Sequence, residues 1–301
     1  MTRSVSGAVP DVYLSRRAAM GQIAGAGAVA AFMATHLGTL QATAQRNEPS
    51  IRAFDTARKK DAAMTESTAP TVVLVHGAFA DSSSWNEILP GLLDKGYPVV
   101  AAANPLRGSA SDGEYVASVL AGISGPIVLV GHSYGGIVIS NAATGNDNVK
   151  ALVYVAAFAP EVGESAVALA AQFPGSTLGD ALAPSPLPGG GVDLYIRPDA
   201  FWSQFAADVP ESMSRLMCAT QRPVTEAALT EPSGEPAWKS IPSWFVYGAE
   251  DRNIPAAVEA FMAERAGAKD AIEVEGASHV VMISHPEVVT GVIQSAIDAI
   301  S

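Results

Sequence analysis

The chain has 301 residues, 49% hydrophobic and 16% charged, with a net charge of −12 and one cysteine. This excludes a disordered chain, which needs low hydrophobicity and high charge density. It also argues against nucleic acid as a partner, because a phosphate backbone calls for a basic face. The lone Cys218 excludes an intrachain disulfide and reads as a small buried side chain.

The N-terminus differs from the rest. Arg16 and Arg17 precede an Ala/Gly-rich apolar run over residues 23–40, followed by Ala42-Thr43-Ala44. A charged region, an apolar region and a small-x-small site together predict a secretory signal over residues 1–44, and the paired arginines predict the twin-arginine type. The protein is then periplasmic or secreted, with no stable membrane span after cleavage. An uncleaved anchor is the alternative, weakened by Gly21, Gly25, Gly27, Thr35 and His36. The stretch from Gly25 to Ala30 matches G-x-G-x-x-A, but no strand precedes it and no βαβ unit surrounds it, so a dinucleotide site is rejected. Residues 45–69 are polar and aperiodic and read as a linker to a domain over residues 70–301. A start at Met64 would give a cytoplasmic form.

From Thr71 the pattern becomes regular. Short β-branched apolar runs at residues 71–75, 99–102, 127–130, 151–155, 244–247 and 271–274 predict buried strands. Helical spacing between them predicts helices over 85–95, 113–120, 135–143, 256–266 and 286–300, the last two beginning at or after a proline. Strands alternating with helices predict an α/β fold with a mostly parallel sheet of about six strands flanked by helices. Residues 160–240 break the rhythm, with short helical patterns, no clear buried strand and a Pro/Gly-rich loop over 184–191. An insertion of that length predicts a cap.

The run at 127–130 leads into Gly131-His132-Ser133-Tyr134-Gly135 and then a helix. Strand, G-x-S-x-G turn and helix are the context in which a serine is exposed as a nucleophile, with helix N–H groups beside it. A serine hydroxyl needs a base. Of the five histidines, His36 lies in the signal, His76 and His132 read as structural, and His285 precedes Pro286 at a helix entry. His279, just after the last strand, is the candidate base. Its carboxylate partner is Asp251, following the strand at 244–247, with Glu250 as fallback and Glu161 as a remote option. The backbone N–H groups of Tyr134 and Ala78, with Phe79 next, are candidate oxyanion donors. Phe79, Tyr134 and Phe158 are expected to line the substrate pocket. Phe201, Trp202 and Phe205 either project into it from the cap or pack within it.

Together VLVHGAF, VGHSYGG, YGAED and GASH, in the order Ser133, Asp251, His279, resemble the α/β-hydrolase superfamily over about residues 71–301. The single cap is similar to the plant methylesterase and hydroxynitrile lyase group and its bacterial esterase relatives. The resemblance implies the α/β-hydrolase fold and a serine carboxylesterase that cleaves small-molecule esters through an acyl-enzyme, with no cofactor and no metal. Amide, thioester or lactone hydrolysis, perhydrolysis, and a ligand-binding protein of the same fold with little turnover are the other functions that fit. The lyases of the group carry lysine after the catalytic histidine and threonine after the first-strand histidine. Here those positions are Val280 and Gly77, which argues against cyanohydrin cleavage. Ser133 stands where haloalkane dehalogenases and epoxide hydrolases carry aspartate. There is no H-E-x-x-H or C-x-x-C metal pattern, no basic amphipathic helix for a membrane surface, and no signal for oligomeric state.

Overall fold

The computed structural model describes residues 69–301. The twin-arginine segment, the Gly25 run, residues 45–68 and Met64 lie outside the described residues. Among the described residues no helix is long and apolar enough to cross a membrane.

Nine strands lie in the described residues, in chain order β1 (Thr71–Val75), β2 (Val99–Ala102), β3 (Ile127–His132), β4 (Val149–Val155), β5 (Leu182–Pro186), β6 (Val192–Ile196), β7 (Val224–Thr225), β8 (Ser243–Gly248) and β9 (Asp270–Val274). Six of them form one sheet in the order β2-β1-β3-β4-β8-β9, with every pairing parallel. Consecutive residues of β3 and β8 are all buried, so both faces of the central sheet are covered, as a parallel sheet requires. The edge strands β2 and β9 are only partly buried, because each has a neighbour on one side alone. The chain runs from β1 out to β2, then returns to the other side of β1 as β3. The C-terminal ends of β1 and β3 therefore flank a topological switch point, where α/β sheets hold ligands.

Two helices differ from their expected bounds. The pattern at 85–95 is broken into a 3-10 turn, Ser82–Trp85, and a helix, Leu89–Leu93. Pro90 lies in the first turn of that helix; it has no N–H to continue a helix begun upstream. The helix expected at 113–120 begins a turn earlier and spans Ser109–Ala121. Carboxylates meet N–H groups at its start, with Glu231 accepting from Ala110 N and Asp112 from the N-cap Gly108 N.

The insertion over residues 160–240 contains a three-stranded antiparallel sheet, β5-β6-β7, among short helices. Residues 184–186, expected as loop, are part of β5. The strand is exposed and carries two prolines, so no buried apolar run announces it. Cys218, expected to be buried, is only partly so, and burial nonetheless pushes its thiol upward.

The cap is hydrogen-bonded to the two loops that follow β8 and β9. Gln204 Nε2 donates to Arg252 O and Asn253 Oδ1, both at 2.9 Å. The Asp208 carboxylate accepts from Ser278 N at 2.9 Å and from Ser278 Oγ. Ser278 is buried, so Asp208→Ala leaves its N–H without an acceptor. The expected loss in urea unfolding is about 1–3 kcal/mol. Asp199→Ala, at an exposed acid, is expected to stay within about 0.5 kcal/mol; equal losses would show that the latch does not contribute.

One core side chain runs against the apolar rule. Glu259, on the helix Ala256–Arg265, is fully buried, and neither carboxyl oxygen has a hydrogen-bond partner among the described residues. Burial first, then the charge of Asp251, holds its carboxyl well above the usual range. A carboxyl raised in the folded state makes no charge-related demand below its unfolded value, about 4.3, and costs progressively more stability as pH rises above that value. Glu259→Met should therefore raise the melting temperature, through about 1–3 kcal/mol near pH 4 from the unpaired polar group alone. Its advantage should widen towards pH 8. Thermal melts across that range would check both, and a constant gap would contradict the buried acid.

Candidate active site

Because the six strands are parallel, their C-terminal ends open on one edge of the sheet. Gly77 follows β1, Ser133 follows β3, Phe158 lies just past β4, Asp251 just past β8 and His279 past β9.

Ser133 has φ +55°, a left-handed conformation that a residue with a side chain adopts only under constraint. Its N–H is held between Val155 O (3.2 Å) and Ala156 O (3.0 Å), and its carbonyl accepts from Phe158 N. The helix Gly135–Ala142 begins two residues later. The turn demands small neighbours. A Cβ at Gly135 would come 2.5 Å from Val75 O, and one at Gly77 would come 2.6 Å from Ser133 Cβ.

His279 Nδ1 lies 2.6 Å from Asp251 Oδ2, with both side chains buried. The carboxylate accepts, so Nδ1 carries the proton and Nε2 is free to act as acceptor. The other oxygen, Asp251 Oδ1, accepts from Asn253 N (2.7 Å) and Ile254 N (3.0 Å), which fixes the carboxylate plane. Glu250 is exposed. Glu161 is paired with Lys239, whose hydrogen bond holds its carboxyl below the usual range. Neither alternative acid is bonded to His279.

The remaining buried histidines hold the frame. His76 donates from Nδ1 to Gly77 O and accepts at Nε2 from Asn104 N, both at 2.9 Å. Burial lowers its pKa to about 4, which keeps the ring neutral and fixes the loop after β1. His132 donates from Nε2 to His279 O at 3.0 Å, and burial lowers it well below the usual imidazole value. His285, only partly buried, occupies the N-cap position of the helix Pro286–Asp298 without a side-chain hydrogen bond to it. No hydrogen bond ties the N–H of Ala78 or of Tyr134 among the described residues, so both are available as donors beside Ser133.

Ser133 and His279 line the same cavity. Ala78, Phe79, Tyr134, Phe158 and Phe205 contribute to its wall. Phe201 and Trp202 do not. Phe201 and Phe205 lie four residues apart on the short helix Phe201–Phe205 and share a face. Phe205 reaches the cavity, with its ring 5.1 Å from that of His279, and Phe201 packs behind it at 5.1 Å. Trp202, one residue round, turns outward with 44% of its surface exposed and bonds Val209 O.

Three contributors had no sequence signal. Buried Asp112 accepts from Tyr134 Oη at 2.8 Å and so positions the residue after the serine. Burial raises the Asp112 carboxyl against the opposing pull of its hydrogen bonds, and burial with Asp112 pushes the Tyr134 hydroxyl up. Gln204 and Asp208 reach in from the cap. Nothing in their local pattern separates them from ordinary surface polars. Among the described residues no cluster of three His, Cys, Asp or Glu side chains is arranged to hold a metal ion.

Comparisons with known proteins agree with this architecture. The chain is 28% identical over 251 residues to the Alpha/beta hydrolase nvfD of Aspergillus novofumigatus (strain IBT 16806), covering 75% of this chain and 96% of that protein. Its fold is similar to polyneuridine aldehyde esterase (TM-score 0.66, 21% identity, 75% of this chain and 98% of that one). It is also similar to the methylesterase protein MES16 from Arabidopsis (TM-score 0.64, 17% identity, 76% of this chain and 99% of that one). The model of the Alpha/beta hydrolase family matches residues 72–292. That span contains Ser133, Asp251, His279 and the cap between them, and the chain belongs to the alpha/beta hydrolase family.

Proposed function

We propose that the protein is a serine hydrolase that cleaves small carboxylic esters through an acyl-enzyme. The observation that carries this reading is the Asp251–His279 pair at 2.6 Å in the same cavity as Ser133 on its left-handed turn. The names of two fold relatives, an aldehyde esterase and a methylesterase, support ester cleavage among the reactions of the family. No lysine or arginine lines the cavity, which favours an uncharged substrate.

In this mechanism His279 Nε2 takes the proton of Ser133 Oγ as the oxygen attacks the ester carbonyl. The N–H groups of Ala78 and Tyr134 receive the oxyanion. Collapse expels the alcohol, which takes its proton from His279, and Asp251 stabilises the imidazolium in between. A water deprotonated by the same Nε2 then releases the acid and restores Ser133. Cyanohydrin chemistry is disfavoured. The lysine and threonine that mark it are Val280 and Gly77 here, and the Gly77 position has no room for a side chain.

Turnover of p-nitrophenyl esters of graded acyl length tests the reading. Ser133→Ala should lower kcat by at least about 10³-fold, and Asp251→Asn by about 10⁴-fold, because the amide favours the wrong tautomer of His279. Wild-type turnover no faster than buffer would leave a binding protein of this fold as the better account. Export through the twin-arginine route is a further part of the proposal. The full chain should appear in the periplasmic or extracellular fraction of a bacterial host, and replacing Arg16 and Arg17 by lysine should retain it inside. Unchanged distribution would remove this part.

A further inference from the structure

Asn253 stands two residues past Asp251, and its backbone N–H supports that carboxylate. Its side chain is 3% exposed and lines the cavity that holds Ser133 and His279. The orientation of its amide is fixed from the cap. Gln204 donates to Arg252 O, and a backbone carbonyl only accepts, so the Gln204 nitrogen lies at that end. The same nitrogen donates to Asn253 Oδ1 at 2.9 Å, and Gln204 Oε1 accepts from Thr177 Oγ1 at 2.8 Å. Both Nε2 hydrogens are used and the Asn253 oxygen is taken. Asn253 Nδ2 is the opposite end of that amide. It is buried, with no hydrogen-bond partner among the described residues.

The other polar groups of the cavity have partners or tasks. Ser133 and His279 belong to the chemistry, and the Tyr134 hydroxyl is bonded to Asp112. The rest of the wall is apolar, including Phe79, Phe158, Leu178 and Ile254. One oriented donor therefore sits without a partner on a residue of this otherwise apolar wall. A buried donor without a partner is costly, and an acceptor on a ligand removes that cost. A site built to hydrogen-bond a substrate group also discriminates strongly against analogues that lack it.

We propose that Asn253 Nδ2 is a specificity determinant that donates to a second, neutral oxygen of the substrate. The preferred ester then carries a further carbonyl or ether oxygen in one of its halves, and plain aliphatic esters are poorer substrates. This rests on the ester-hydrolase reading above.

Matched pairs test it. Methyl pentanoate is compared with its 3-oxo and 4-oxo analogues, and butyl acetate with 2-methoxyethyl acetate. In the wild type at least one acceptor-bearing ester should exceed its plain partner tenfold or more in kcat/KM. Asn253→Leu should shrink that ratio by tenfold or more, and reading the change in ratio removes the intrinsic reactivity of the oxo esters. Asn253→Ala removes the donor without adding bulk, and should shrink the ratio likewise if the leucine variant does not fold. A ratio unchanged by both variants, or a wild type that prefers the plain esters, overturns the proposal. Calorimetric binding to Ser133→Ala separates this from failure of the hydrolase reading. Suppose the wild type cleaves no ester. Tenfold tighter binding of an acceptor-bearing ester than of its plain partner, lost when Asn253→Leu is added, would uphold the subsite. Equal binding within every pair would overturn it.

Discussion

Ser133 holds φ at +55°, a conformation that costs a residue with a side chain about 1–3 kcal/mol, and the surrounding elements keep it there. The N–H is shared between the carbonyls of Val155 and Ala156 at the end of β4, while Phe158 N returns a bond to the serine carbonyl. Gly135 lets the following helix press against Val75 O at the end of β1. Three adjacent strands thus converge on one peptide. Phe79 and Ala156, which also have positive φ, belong to the loops beside it. The strain at Ser133 lies where the strand order reverses, and the buried strands on either side keep it from relaxing.

The charges of the site are arranged by burial as much as by pairing. Three histidines are buried at the strand ends, and only His279 has a carboxylate on its ring. His76 and His132 are pushed down by burial and stay neutral while they hold the loops. Glu259 lies close enough to Asp251 to feel its charge, and burial with that charge holds its carboxyl well above the usual range. The Asp251 carboxylate is fixed by the N–H groups of Asn253 and Ile254. The same short loop supports the carboxylate through its backbone and faces the cavity through its side chain.

Much of this architecture could be read from the residues. The six parallel strands are continuous apolar runs because both their faces are covered, and such runs stand out in a sequence. The glycines around Ser133 are visible for a related reason, since close backbone approach admits nothing larger. The cap was less legible. Its strands are short and partly exposed, and β5 contains Pro184 and Pro186, residues that ordinarily mark loops. The cap aromatics depended on the rotation of a five-residue helix, too short for periodicity to assign Phe205 inward and Trp202 outward. Asp112, Gln204 and Asp208 act across distances of 22 to 70 residues along the chain, and one sequence carries no local trace of such pairings.

The prolines of β5 have a bearing on how the protein behaves in a crowded solution. At the ends of the hairpin, Leu187 N bonds Gly191 O and Arg197 N bonds Ala181 O, so the odd-numbered residues of this segment turn their backbone groups towards β6. The even-numbered residues, Leu182, Pro184 and Pro186, turn theirs to the open side of the sheet, where β5 has no neighbour. Two of those three lack an N–H. The free edge of the cap therefore offers a broken row of donors to any extended chain that meets it, a poor template for strand addition and a built-in guard against edge-to-edge aggregation.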